Sequence, residues 1–223
     1  MKLAVSHPWN LTPSEAIQLQ KDLRQQILVT PLNIDKLSLV GGVDVGFREG
    51  KAHAAAVVLG YPSLTLIEHA SVELPVTFPY IPGLLSFRET PAVLAALEQL
   101  SHMPDALLCD GHGYAHPRRF GIACHLGMLL DLPVVGIGKS ILVGSYDNLG
   151  IEAGSTAELI DHEEVIGMAI RTRQGVKPIF ASIGNRVDLP SAVQLTLRCV
   201  KGHRLPEPIR LADRLASRRG PIE

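Results

Sequence analysis

Three cysteines are all that 223 residues contain, Cys109, Cys124 and Cys199, widely spaced and without a Cys-x-x-Cys pair. That excludes a disulfide framework and the usual dithiol zinc or redox motifs, and leaves buried thiols in a reducing compartment. Neither sign of charge is in excess. Lys and Arg number 21 against 22 Asp and Glu, a net −1, which argues against a globally basic nucleic-acid binder. No apolar run reaches membrane-spanning length, and MKLAVSHPWNLTPSE has only a short apolar patch before Pro8, too little for a signal peptide. Linkers of Ser, Gly or Pro are missing, as are internal repeats and low-complexity tracts. A chain that is 46% hydrophobic can bury one full core. The expectation is a single cytoplasmic domain over 1–223, a monomer with no membrane partner.

Thr12-Pro13-Ser14-Glu15 supplies a capping residue, a proline at the first helical position and Glu at the third, and apolar Ala16, Leu19, Leu23 and Ile27 follow at helical spacing. Three strand-like runs come next, 37–47, 52–59 and 64–74, and the short turns between them predict an antiparallel meander. The spacing of Val93, Leu94, Leu97 and Leu100 predicts a helix from Ser86 or Thr90 to about His102, with Pro91 in its first turn. A strand over 105–110, a helix over 119–130 and a strand over 133–138 form a right-handed parallel crossover. Strand patterns return at 164–172 and 177–182, and helices near 190–200 and 206–217. The order of a three-strand meander, helix, strand, helix, strand resembles a ribonuclease H-like fold, an α/β fold with a central mixed sheet flanked by helices.

Several acids stand where packing gives them no reason to be. Asp44 lies in Val-Gly-Gly-Val-Asp-Val-Gly-Phe, and a carboxylate in an apolar strand is costly unless paired or bound to a metal. Asp110 ends the apolar run 106–109, at the strand edge where α/β sheets gather ligand sites. Two acids on neighbouring strand ends can share Mg²⁺, a hard ion that takes oxygen ligands and keeps several waters. Singly, Asp44 meeting an arginine and Asp110 opening a turn explain each as well; as a pair they favour the metal. Glu89 has a competing explanation, since Ser86-x-x-Glu89 fits a capping box. Asp213, on an arginine-rich late helix, has the usual character of an exposed ion-pair acid, although the fold can bring that helix to the same edge.

His112-Gly-Tyr-Ala-His116 has zinc-like spacing, but its glycines and Pro117 make it a loop, and no cysteine or third histidine completes a signature. His116, beside Arg118 and Arg119, reads rather as a phosphate or water contact, and His125 as a hydrogen-bonded core histidine. Lys139 follows the strand in Gly-Ile-Gly-Lys-Ser, which lacks the first glycine of a phosphate-cradling loop. A lysine there faces the crevice of Asp110 and can orient water or offset charge at a scissile phosphate; the alternative is a lysine reaching into solvent. From Arg198 to Glu223 seven Lys and Arg stand against three acids. With Arg118 and Arg119 these predict a basic rim for phosphates, or else a solvated helix face. In Pro79-Tyr80-Ile81-Pro82-Gly83 the prolines stiffen a turn that presents Tyr80 and Ile81 as a wedge for a base stack, or that folds Tyr80 onto the core.

PYIPGLLSFRE together with DGHG-x-x-HPRR-x-G-x-A-x-H-x-G resembles the endonuclease V family, the deoxyinosine 3′ endonucleases. The resemblance runs from Val-Asp-Val-Gly-Phe to Arg-Leu-Pro-Glu-Pro, most of the chain. It implies Mg²⁺-dependent hydrolysis, with Mn²⁺ able to substitute, of the second phosphodiester bond 3′ to a deaminated base such as hypoxanthine, leaving 3′-hydroxyl and 5′-phosphate ends. By the same resemblance Asp44, Asp110 and Glu89 are the metal ligands that make up the acidic site, with Asp213 as a possible further ligand at a position where some relatives carry histidine. Lys139 and His116 act on phosphate and water, Pro79, Tyr80, Ile81 and Pro82 form a strand-separating wedge, and Gly83, Leu85, Gly111 and Ile122 form the lesion pocket. Asn185 stands where relatives have histidine after Ser-x-Gly.

Deamination turns adenine's amino donor into a carbonyl acceptor. Backbone N–H groups in a glycine-lined pocket therefore accept hypoxanthine and offer nothing to adenine's amino group. Inosine in RNA is the alternative substrate, since only 2′-hydroxyl contacts would differ. A noncatalytic DNA-binding protein fits less well, because it has no need of costly buried carboxylates.

Overall fold

The computed structural model describes residues 3–218. Its elements run α1 (Pro13–Arg24), β1 (Leu39–Arg48), β2 (Lys51–Gly60), β3 (Thr65–Pro75), α2 (Leu85–Glu98), β4 (Ala106–Asp110), α3 (Ile122–Leu130), β5 (Val134–Gly138), β6 (Thr156–Asp161), β7 (Glu164–Ile170), β8 (Ile179–Asn185), α4 (Leu189–Arg198) and α5 (Glu207–Ala216). The strands form one sheet in the order β3-β2-β1-β4-β5-β8-β7-β6. β1 to β3 are the expected antiparallel meander, and β1, β4 and β5 are parallel neighbours. β8, β7 and β6 extend the sheet antiparallel beyond β5. The first five strands, with two helices packed on each face, are the ribonuclease H-like arrangement.

Period-two alternation along β1 sorts its side chains between those faces. Val40 packs with Ile209, Ala212 and Leu195 in one apolar cluster, whereas Val43 packs with Ala92, Val93, Ala96 and Leu126 in the other. Asp44 therefore shares the α5 face with Gly42 and Gly46. A Cβ on Gly42 would lie 2.2 Å from the carbonyl oxygen of Pro208, and one on Gly46 would lie 2.9 Å from that of Ala216. The glycines flanking Asp44 thus exist so that α5 can lie almost on the backbone of β1. Buried leucines such as Leu107 and Leu108 on β4 face opposite clusters, each stabilising the sandwich by roughly 1.5–3 kcal/mol.

Some boundaries differ from the sequence expectation. α1 opens with its predicted capping box but ends at Arg24 rather than near Ile27. α2 starts at Leu85, with Leu84 as an N-cap that makes no side-chain bond, so Pro91 lies inside the helix rather than in its first turn. The proline gives up one hydrogen bond there, and burial of Ala92, Val93, Ala96 and Leu97 carries the helix through. α3 begins at Ile122, not Arg119, because Arg119 takes a φ of 57° and Gly121 is the N-cap. β6 was not expected; its only fully buried side chain is Leu159. No helix among the described residues is long and apolar enough to cross a membrane.

Candidate active site

β1 and β4 run parallel with Val43 beside Cys109, so one residue further Asp44, midway along β1, stands beside Asp110, the last residue of β4. α5, drawn onto β1 by Gly42 and Gly46, brings Asp213 to the same place. One carboxylate oxygen from each of Asp44, Asp110 and Asp213 lies within 4.8 Å of the other two. Three hard oxygen donors so close are a fit for a divalent ion, and no histidine or thiol among the described residues joins them. Burial, and then the charge of Asp110, push the Asp44 carboxyl up to about 9. Crowded carboxylates of this kind hold a proton unless a cation takes its place.

Lys139, one residue past β5, is that cation in part. Its Nζ lies 2.6 Å from Asp110 Oδ2 and donates to Asp213 Oδ1 at 2.9 Å. Burial works against the ammonium, but Asp110, Asp44 and Asp213 outweigh it and hold its pKa above the ordinary lysine range. Arg204 donates to the backbone carbonyl of Lys139 at 2.6 Å and to those of Lys177 and Pro178, fixing the chain from which the lysine reaches. Glu89 comes from α2, on the other face of the sheet. It is 7% exposed, and burial followed by repulsion from Asp110 pushes it up to about 8. Since α2 has no side-chain cap, the capping-box explanation of Glu89 falls away.

Next to the acids lies a cavity of about 190 Å³ whose walls include Tyr80, Ile81, Pro82, Gly83, Leu85, Gly111, His116 and Ile122. Every residue expected in the wedge or lesion pocket except Pro79 is among its lining. Tyr80 is 70% exposed, so the prolines present it rather than folding it inward. Gly111 and Gly83 take φ values of 126° and 80°, and a Cβ on either would meet a neighbour at 2.7 or 2.6 Å, which reserves both positions for glycine. The Gly111 N–H, however, donates to the Ile137 carbonyl, and is spent on the sheet.

The sequence reading left out Gln20 and the segment 140–142, which also line the cavity. Gln20, 1% exposed on the apolar face of α1, donates to the carbonyls of Gly83 and Phe120 and accepts from Arg118 Nε at 2.6 Å. A buried glutamine within the Ala16, Leu19, Leu23 stripe was the available signal. Arg118 Nη2 donates to the same Gly83 carbonyl at 2.6 Å.

His116 needs correction as a phosphate or water contact. Its Nδ1 accepts from the Arg118 backbone N–H at 3.1 Å, so Nε2 carries the proton and donates to the Gly83 carbonyl at 3.0 Å. Burial and then the charge of Arg118 push it down to about 4, and the neutral ring acts as a brace for the turn. Of the residues expected in a basic rim, Arg119 pairs with Glu164 and Asp161, Arg198 with Asp35, Arg210 with Glu207, and Arg218 with Glu73; Lys201 and Arg204 donate to backbone carbonyls, and Arg219 lies outside the described residues. Zinc finds no support, because His112 bonds Ser140, His116 bonds Gly83 and His125 meets His7. Asn185 accepts from the Leu28 N–H and donates to the Gly127 carbonyl, tying the segment after α1 to α3 away from the acids.

The comparisons with known proteins agree with one another. The Endonuclease V family model matches residues 21–214. An Endonuclease V of Gloeobacter violaceus is 54% identical over 211 residues, covering 92% of this chain and 85% of the relative. The crystal structure of the Streptomyces avermitilis Endonuclease V superposes with a TM-score of 0.89 at 41% identity, covering 98% and 97% of the two chains. Ciona intestinalis Endonuclease V, whose structure holds a 24mer DNA containing an inosine followed by a ribo-adenosine, gives 0.81 at 27% identity over 92% of this chain and 96% of that one. With its fold, its acids and its matched span in accord, this chain belongs to the endonuclease V family.

Proposed function

We propose that this protein is a DNA repair endonuclease that hydrolyses the second phosphodiester bond 3′ to a deaminated base, chiefly hypoxanthine, and leaves 3′-hydroxyl and 5′-phosphate ends. The observation that carries the reading is the meeting of Asp44, Asp110 and Asp213 oxygens within 4.8 Å beside a cavity walled by the Tyr80 turn. Mg²⁺, or Mn²⁺ in its place, held by these three carboxylates would supply Lewis acidity toward the phosphate oxygens and a more acidic water. Glu89 completes the acidic site from the α2 side; the charge of a bound divalent ion would lower its pKa, and in that ionised form it would take the proton of the attacking water. Lys139 stays protonated and turns from Asp110 and Asp213 toward the phosphate, where its charge offsets that developing in the transition state. Pro79, Tyr80, Ile81 and Pro82 part the strands, the extruded base enters the pocket of Gly83, Leu85, Gly111 and Ile122, and His116 braces the turn from below. The protein works as one domain over 1–223, a cytoplasmic monomer on DNA.

Matched oligonucleotides test this directly. Strands of DNA or RNA with one inosine are incubated with Mg²⁺, Mn²⁺ or EDTA. The expected result is a nick one nucleotide beyond the inosine in DNA, dependent on either metal. Cutting in EDTA would sink the metal role, and cutting confined to RNA would replace the substrate.

A further inference from the structure

The described residues before α1 form no helix or strand, yet they are tied to α1, α2 and α3. The Ala4 N–H donates to the Leu129 carbonyl at 2.8 Å, and Val5 packs with Leu23, Phe120, Cys124 and Met128. Trp9 and Leu11 lie against the cluster of Ala16, Phe78, Leu84 and Phe87. Phe78 and Leu84 flank the Pro79–Pro82 turn in sequence, and Ile81 of the turn packs on the same cluster. This N-terminal strap is thus part of the floor under that turn.

Midway along the strap, His7 meets His125 of α3. Their Nε2 atoms are 2.7 Å apart, whereas the ring centroids are 4.8 Å apart with planes 26° from parallel, so the rings approach nitrogen to nitrogen. One proton lies between them, and the neighbours fix whose it is. His7 Nδ1 is 2.8 Å from the Pro8 carbonyl oxygen, which only accepts, so Nδ1 of the neutral ring bears the proton and Nε2 is bare. His125 Nε2 therefore donates, and its Nδ1 is left as a buried acceptor with no partner. A second proton has no place in this pair. On His7 it would set N–H against N–H, and moving the His125 proton to Nδ1 would relieve that only by burying a donor with nothing to bond. On His125, 0% exposed, the charge would lie among Trp9, Phe87 and Phe120, and burial, then His7, holds that ring down at about 3. Among the described residues no acid bonds or pairs with either ring. Phe87 faces them from α2, Phe120 from the chain before α3, and Ala16, Ile17 and Leu19 pack into the same floor from α1. Cys124, beside His125 on α3, is kept a thiol by burial, and His7 is the strap's own titratable side chain.

We propose that residues 3–11 are a pH-sensitive strap, latched by the His7–His125 bond while both rings are neutral and released by a proton on either, and that release loosens the floor of the Pro79–Pro82 turn. Latched, His125 takes up a proton less readily than a free histidine, so release is favoured as pH falls below the ordinary histidine value of about 6.5. Trp9 moves with the strap, so the attraction of a charged His7 to its ring, 4.5 Å away between centroids, persists after release and does not hold the latch closed.

Trp9 is the single tryptophan of the chain, so its fluorescence reports on the strap. In EDTA, with far-UV circular dichroism showing the fold intact, acidification from about pH 8 to about pH 5 should shift the emission to longer wavelength and raise the acrylamide quenching constant several-fold. His7→Gln, whose amide oxygen still accepts from His125 but takes up no proton, should stay closed throughout, and His7→Ala should be open before acid is added. A fall in intensity with wavelength and quenching constant unchanged would mean protonation in place and would overturn the latch, as would an acid response in His7→Gln equal to that of the wild type. The turn is read by chymotrypsin cleavage after the exposed Tyr80, timed before acidification. His7→Ala should be cut there several-fold faster than the wild type and His7→Gln at the wild-type rate, and equal rates in all three would overturn the coupling to the turn. Neither measurement uses DNA, so a failure of the latch and a failure of the proposed function are told apart.

Discussion

Asp213 entered the site from the least promising context in the sequence, an arginine-rich helix, and ended within 4.8 Å of Asp44 and Asp110. Glu89, the stronger candidate on sequence, stands outside that trio. Removing an ion-holding carboxylate forfeits several kcal/mol of transition-state stabilisation, so Asp110→Ala should abolish nicking of an inosine strand. Asp213→Ala should cost at least about 100-fold in single-turnover rate; a loss of only a few-fold would demote it to a partner of Lys139. Lys139→Ala should lower that rate more than it weakens DNA binding, and the reverse outcome would make Lys139 a phosphate anchor. Asp44 and Asp110 were legible because each interrupts or ends an apolar run. The closeness of Asp213 depends on a contact between helix and strand that no local pattern encodes.

At the scale of elements, α5 owes its position to absent side chains on β1. Gly42→Ala would set a methyl against the Pro208 carbonyl, destabilising the fold by about 1–3 kcal/mol and moving Asp213 off its partners. Chemical denaturation and nicking assays on one preparation should show activity falling further than the folded fraction; parallel losses would mean that α5 does not position the acid. The Pro79 to Pro82 turn carries a different expectation. Tyr80→Ala should lose more activity on a fully paired inosine duplex than on a single strand, since filling the gap left by an extruded base offsets an unstacking cost of roughly a few kcal/mol. Equal fold losses in single-turnover rate would remove the wedge. The turn was readable from its prolines, as α1 was from its cap. β6 was not, because Thr156-Ala157-Glu158-Leu159-Ile160-Asp161 commits only Leu159 fully to the core.

Across the whole molecule, strand order through β5 followed from chain order and crossover handedness, but the antiparallel return of β8 beside β5 is set by packing that spacing does not reveal. Stability against pH is likewise a property of the whole chain. Asp44 and Glu89, raised by burial and by Asp110 to about 9 and about 8, bind more protons folded than unfolded, so they subtract stability as pH rises from about 4 toward those values. His116 and His125, lowered mainly by burial to about 4 and about 3, do the opposite, and their stability is lost as pH falls below about 6.5. Above that point the carboxylates act alone. Metal-free protein should therefore melt at progressively lower temperature between pH 6.5 and 9, with Asp44→Asn flattening the decline and Mg²⁺ lessening it; a melting temperature constant over that range in EDTA would contradict the protonated pair.

The Gly83 carbonyl receives donors from Gln20, His116 and Arg118. Mechanically this is a fulcrum. In the proposed wedge role, an arm stiffened by Pro79 and Pro82 would not flex at its root to follow a helix of DNA, and the duplex would yield instead. Resistance to bending would thereby pass from protein to substrate, and a base pair already weakened by deamination would be the first place where the duplex gives way.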